Sequence, residues 1–120
     1  LGSGAGLDSI IAAGRVGPQG QVLAVDFSSA MLSSMEQAVL ESGATNIKIF
    51  HSDAESLPLE DLSVDVALVN GIFNLKPERS KIFTELARVV KPGGCVFAAE
   101  LVLREAGSEK VEPTPENWFA

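Results

Sequence analysis

The feature that most constrains this chain is a glycine-rich turn, Leu1-Gly2-Ser3-Gly4-Ala5-Gly6, followed 20 residues after Gly6 by Asp26 at the end of an apolar run. Glycine carries no Cβ, so its backbone reaches left-handed conformations and its N–H groups can approach a ligand closely. An acidic side chain about 20 residues further on is placed to hydrogen-bond a ribose diol. Such a loop normally follows a buried strand, and although glycine loops also form ordinary turns, with Asp26 in place it suggests a nucleotide-type cofactor site. The spacing Gly-x-Gly-x-Gly, with Leu7 next, departs from the Gly-x-Gly-x-x-Gly of dinucleotide enzymes and leans away from a nicotinamide cofactor.

The rest of the chain alternates short β-runs with helix-period segments, the signature of parallel βαβ units. Gly6–Ala13 reads as a helix opened by the loop, and Gly14–Gln21 as a turn region around Gly17-Pro18-Gln19-Gly20. Gln21–Val25 is a strand. Ser28 or Ser29 then N-caps a helix to about Ser42, with Met31, Leu32, Met35 and Val39 on one face and Gly43 as its stop. Ile47–Phe50 is the next strand, and a polar stretch runs from His51 to Ser63. Val64–Val69 is nearly all aliphatic, as suits a strand covered on both faces. A helix follows from Arg79 to Val90, burying Ile82, Phe83, Leu86, Val89 and Val90. Lys91-Pro92-Gly93-Gly94 turns it into a strand over Cys95–Leu101, and Arg104–Ala120 reads as a charged, solvated tail. The total is four strands and three helices. In open sheets of this kind ligands bind at the carboxyl ends of the strands, where Gly2–Gly6, Asp26, Asp53 and Asn70 all fall.

Composition narrows the partners. The 120 residues form at most one domain, and their net charge of −7 repels phosphate backbones and anionic lipids. Nucleic acid and membrane surfaces are therefore not expected as partners. No apolar run approaches the roughly 20 residues of a membrane span, and no basic stretch leads into an apolar one as in a secretory signal. A cytoplasmic location is expected. One cysteine, Cys95, excludes an internal disulfide and a cysteine-cluster metal site; it reads as a small buried hydrophobe. His51, the only histidine, reads as structural or solvated, and Asp65 as orienting backbone at a strand start.

The ordered set Leu-Gly-Ser-Gly-Ala-Gly, Val-Leu-Ala-Val-Asp-Phe-Ser-Ser-Ala-Met-Leu, Asp-Ala-Glu-Ser-Leu-Pro, Val-Asp-Val-Ala-Leu-Val-Asn and Ala-Arg-Val-Val-Lys-Pro-Gly-Gly resembles class I S-adenosylmethionine-dependent methyltransferases. Within that family it looks most like the arsenite-methyltransferase and ubiquinone/menaquinone-methyltransferase-like branch. The resemblance covers about residues 1–101. It implies a Rossmann-like α/β fold, a mostly parallel sheet with helices on both faces. The family's first, central strand would precede Leu1 and its last two strands would follow Ala120. The chain would then be a single partial methyltransferase domain, 1–120. Its cofactor-binding core would be 1–101, and 102–120 the start of the substrate-side region.

The resemblance also assigns the cofactor, S-adenosyl-L-methionine, and its contacts. Gly2, Ser3, Gly4 and Gly6 pass beneath the methionine part. Asp26 takes the ribose hydroxyls, with Phe27 and Met31 against the adenine. Asp53 receives the adenine amino group, with the Ala54 backbone beside it, and Asn70 faces the methionine portion near the methyl. From the residues alone, Asp53 reads equally as a turn residue and Asn70 as a strand-end amide. No catalytic residue and no metal is implied, because the sulfonium already activates the methyl group. The acceptor would be a small molecule.

Arsenite methylases carry thiols near the position of Gly71 and close to the final tryptophan. This chain has Asn70-Gly71-Ile72 and Asn117-Trp118-Phe119 there, which argues against thiol-held arsenic. Lack of a central strand would leave its two neighbours with unpaired edges, favouring sheet rearrangement, a homodimer or strand exchange, or a separate upstream peptide. The alternatives are a non-catalytic module that keeps the fold, and a nicotinamide-dependent oxidoreductase fragment.

Overall fold

The computed structural model describes residues 1–102. Within them the chain runs α1 (Leu7–Val16), β1 (Val22–Asp26), α2 (Ser29–Ser42), β2 (Ile47–His51), β3 (Val64–Asn70), α3 (Arg79–Val89) and β4 (Val90–Ala99). The expected order of four strands and three helices is present. The reading of Arg104–Ala120 as a tail lies outside the described residues.

The strands form two parallel pairs rather than one continuous sheet. β1 pairs with β2, from Val22 opposite Ile47 to Asp26 opposite His51. β3 pairs with β4, from Val64 opposite Val90 to Asn70 opposite Ala99, with a register shift between Val64 and Val66. Helices α1 and α2 lie against the first pair and α3 against β4.

Facing edges of β1 and β3 border a cleft of about 750 Å³, lined on one side by Val22, Leu23 and Ala24 and on the other by Val64, Val66 and Leu68. At its carboxyl end the two pairs are joined by the first residues of the chain. The Leu1 nitrogen donates to Leu68 O at 2.7 Å, while the Gly2 and Ser3 amides both donate to Val25 O, at 2.9 and 3.1 Å. The Leu1 side chain packs against both core clusters. One comprises Ala54, Val69, Ile72, Phe73, Ile82 and Leu86; the other Val25, Leu57 and Val89.

Local chemistry explains the element ends. Gly6, at φ 96°, turns the loop into α1, which continues through Gly14 to Val16 rather than stopping at Ala13. What ends it is Gly17, at φ 71°. Asn46 secures that end, its side-chain amide donating to the carbonyls of Ala13, Gly17 and Gly20. Ser28 caps α2 through Met31 N, and Gly43 closes it in the left-handed conformation, its N–H donating to Leu40 O.

Several expectations are corrected. β3 is not covered on both faces: Val66 and Leu68 are exposed, as are Cys95 and Phe97 opposite them on β4, so this face of the β3–β4 pair lies open while Ala67 and Val69 pack in the core on the other. Lys91–Gly94 is not a free turn, since β4 begins at Val90 and absorbs the irregularity as a register shift, ending at Ala99 rather than Leu101. Cys95 on β4 is exposed, not buried. Met31 lies on the outer side of α2, where Met35 alone of the two is fully buried. Phe83 is also exposed, although its ring stacks on Phe73 with centroids 4.6 Å apart.

The polar stretch before β3 is held to α3 by a charged hub. Arg88 grips Glu85 through two nitrogens, at 2.8 and 2.7 Å, and donates to Leu57 O, Leu59 O and Asp61. Glu85 in turn accepts Leu57 N at 2.6 Å. Fork-to-fork pairing of this kind is the strong geometry for an ion pair.

Candidate functional site

The site is built from the carboxyl ends of β1 and β2, the glycine loop, and the loop after β3. Gly2, Gly4 and Gly6 all have positive φ, at 66°, 51° and 96°. At Gly2 a Cβ would stand 2.1 Å from Ile72 Cδ1, and at Gly6 2.8 Å from Met35 Cγ, so both glycines allow close packing beneath the loop. Gly4 differs: nothing of the protein lies within 4 Å of where its Cβ would be. Its conformation, not its packing, requires glycine.

Asp26 is what holds this loop in place. It is buried at the end of β1, and its two carboxylate oxygens accept Gly4 N at 2.8 Å and Ser28 N at 2.9 Å. One side chain thereby clamps the glycine loop to the start of α2. Each oxygen retains a second lone pair for a hydroxyl ligand. The Ser3 hydroxyl is buried with no hydrogen-bond partner. A polar atom in that condition is costly unless a ligand or water satisfies it.

Gly2, Asp26, Phe27 and Ala54 line one pocket together with Leu1, Val25, Ser52, Ile72, Leu75 and Lys76. Four of the residues singled out from sequence therefore converge. Asp53 stands at its rim, with Oδ2 on Lys76 Nζ at 2.5 Å and Oδ1 accepting Glu55 N at 3.2 Å. The Lys76 ammonium holds the Asp53 carboxyl below the usual carboxylate range, with burial opposing the effect. Ala54 is buried in the core beneath. Met31 and Asn70 are not part of the pocket; Asn70 lines the β1–β3 cleft and donates to Asp8 at 3.2 Å. His51 uses Nε2 to bind Phe27 O at 2.8 Å, a structural tie. Asp65 pairs with Lys91 at 2.8 Å.

Two contributors escaped the sequence reading. Lys76 sits 5.4 Å from the Phe27 ring centroid as well as on Asp53. Glu100 follows β4, and its Oε1 accepts Ile72 N at 2.7 Å and Phe73 N at 3.0 Å, fixing the loop after β3. Neither belongs to a spacing motif, although Lys76 follows the strand that ends in Asn70, the edge where ligands are expected.

A glycine cradle with an acid-anchored loop, a half-exposed aromatic beside it and an acceptor at the rim stand together on a parallel α/β scaffold, a chemistry compatible with an adenosine-type group. The donor set suits such a group: backbone N–H, a carboxylate for a diol and an apolar ring for a base. The comparisons with known proteins make the class specific. A family model described as a methyltransferase domain matches residues 1–119, and the chain belongs to that family.

Among curated proteins, the arsenite methyltransferase of Halobacterium salinarum is 36% identical over 117 residues, covering 98% of this chain and 30% of that protein. The demethylmenaquinone methyltransferase of a Geobacillus species is 39% identical over 93 residues, covering 77% of this chain and 39% of its own. The chain thus spans between 30% and 39% of the length of these relatives. A crystal structure of an S-adenosylmethionine-dependent methyltransferase from Aquifex aeolicus superimposes with a TM-score of 0.80 at 29% identity. It matches 96% of this chain and 60% of that one. The architecture is the Rossmann-like α/β fold of class I methyltransferases.

Proposed function

We propose that this chain forms the cofactor-binding part of an enzyme that transfers a methyl group from S-adenosylmethionine to a small-molecule acceptor. The observation that carries the reading is the clamp made by Asp26, which fixes Gly4 at the carboxyl edge of β1 and itself lines the pocket. Gly2, Ser3, Gly4 and Gly6 would pass beneath the methionine part, and Asp26 would take the ribose. Phe27, with Met31 further out, would lie against the adenine, while Asp53 and the Ala54 backbone would receive its amino edge. Asn70 would face the methionine end. When bound, the sulfonium supplies an already activated methyl group. The chain's own part is to hold it in line with an acceptor, an orientation task that needs no dense catalytic set.

Residues 1–101 are read as the cofactor-binding core and 102–120 as the start of the substrate side. Relatives acting on arsenite and on demethylmenaquinone support a small acceptor. The single cysteine, Cys95, is exposed on β4, and thiol-held arsenic is not favoured. A cytoplasmic location is supported by acidic composition; among the described residues no helix is long and apolar enough to cross a membrane.

Calorimetry with S-adenosylhomocysteine and, separately, NAD tests the function. Binding of the first alone is expected. Binding of NAD alone would make the site that of an oxidoreductase, and binding of neither would make the chain a non-catalytic module.

A further inference from the structure

The pocket that gathers Gly2, Asp26, Phe27 and Ala54 is narrow, although Phe27 at its edge stays half-exposed. Its cavity is about 20 Å³, enough for a water molecule and far too small for a purine. What closes it is the loop after β3, through Ile72, Leu75 and Lys76. The base of that loop is tied to β4 by Glu100 on Ile72 N and Phe73 N. Its far end is tied across the pocket by one side chain, Lys76.

Lys76 is only 19% exposed. Its ammonium donates to Asp53 Oδ2 at 2.5 Å and lies 5.4 Å from the Phe27 centroid. Asp53 Oδ1 already accepts Glu55 N. The acceptor assigned to the adenine amino group and the ring assigned to its face are therefore both engaged by the same cation. Glu55 Oε1, 4.0 Å from the ammonium, offers it a second seat.

We propose that Lys76 is a latch across the cofactor cleft: in the free protein it holds Asp53 and stands over one face of Phe27, an entering purine displaces it, and the cost of that displacement sets cofactor affinity. The inference rests on the cofactor reading above. It adds an affinity-determining residue that touches the ligand's place only when the ligand is absent. Displacement gives up one partly exposed ion pair and one cation–π contact, while transfer of the ammonium toward Glu55 returns part of the loss. The Asp53–Lys76 bond also holds the Asp53 carboxyl low, which supplies a readout needing no ligand.

The test compares wild type with Lys76→Met, which keeps the apolar stem without the charge, and Lys76→Arg, which keeps the cation. Unfolding midpoints are checked for all three. Calorimetry with S-adenosylhomocysteine is expected to show about tenfold tighter binding for Lys76→Met, given the combined strength of such a pair and contact. Lys76→Arg should stay within about threefold of wild type, because the ion pair is retained. Added salt should tighten wild-type binding and leave Lys76→Met unmoved, since only the former has an ion pair to screen. In the ligand-free protein, carbon-detected NMR should show Asp53 titrating higher in Lys76→Met. Equal or weaker binding by Lys76→Met, or an unmoved Asp53, overturns the latch while leaving the cofactor reading in place. No binding by wild type or by Lys76→Met overturns both.

Discussion

Replacing Asp26 by Ala tests whether one carboxylate both organises the fold and prepares the site. Asp26 is 8% exposed and accepts two backbone N–H groups, from Gly4 and Ser28, at 2.8 and 2.9 Å. Alanine leaves both donors without an acceptor in a place water reaches poorly. Each orphaned group costs about 1–3 kcal/mol, less whatever rearrangement recovers, so a net loss of about 2–4 kcal/mol is expected. Asn keeps one acceptor oxygen but sets an NH₂ group against the other donor, and should cost about half as much. Urea unfolding followed by circular dichroism measures both. Hydrogen exchange at the Gly4 and Ser28 amides locates the effect, with protection of both falling in Asp26→Ala. Calorimetry with S-adenosylhomocysteine should lose detectable binding in that variant under conditions where it remains folded. An Asp26→Ala protein within about 0.5 kcal/mol of wild type would refute the clamp, since an unlinked surface change costs no more than this.

Gly4→Ala should be mild for the fold, on the order of 1–2 kcal/mol for φ 51° alone, because no protein atom stands where the new methyl would go. It should nonetheless weaken S-adenosylhomocysteine binding in calorimetry; unchanged affinity would mean that no ligand lies over the loop. Glu85, held at a pKa of about 2 chiefly by Arg88 and then by Leu57 N, contributes stability that is fully present above its unfolded value and is lost as pH falls through about 2. With solvent at its edge the contribution is about 1–2 kcal/mol. The urea-stability gap between wild type and Glu85→Gln should therefore close on acidification from pH 6 to 2. Ile82→Val, at a fully buried core position, should cost about 0.5–1.5 kcal/mol in the same assay at neutral pH.

Much of the backbone was legible because its signals are local. Ser28 and Gly43 bracket α2 as expected, since a cap is satisfied by atoms within one turn of the helix. Strand centres were found for the same reason, with ends off by a residue or two, except that β4 begins five residues earlier than expected, at Val90. The helix expected to end at Ala13 runs on to Val16, and the tie that secures this end is non-local, since Asn46 gathers three carbonyls from far along the chain. Val66, Leu68 and Cys95 were expected to be buried because aliphatic runs resemble covered strands. Whether a strand face is covered depends on what packs on it, and here the face carrying Val66, Leu68, Cys95 and Phe97 lies open.

The site divides along the same line. By itself the sequence determined the class of ligand chemistry. Glycines at 2, 4 and 6 are needed for positive φ, and an acid after the first strand is placed by strand length, so both follow from spacing. Tertiary structure alone decided what each polar group does there. It turned Asp26 into a clamp on Gly4 and Ser28, drew Asn70 away to Asp8, and brought Lys76 onto Asp53 and Phe27. The reason is reach. A dihedral preference is settled by a residue and its neighbours, whereas a hydrogen bond between residues 23 or 62 positions apart exists only after the sheet edges have brought them together.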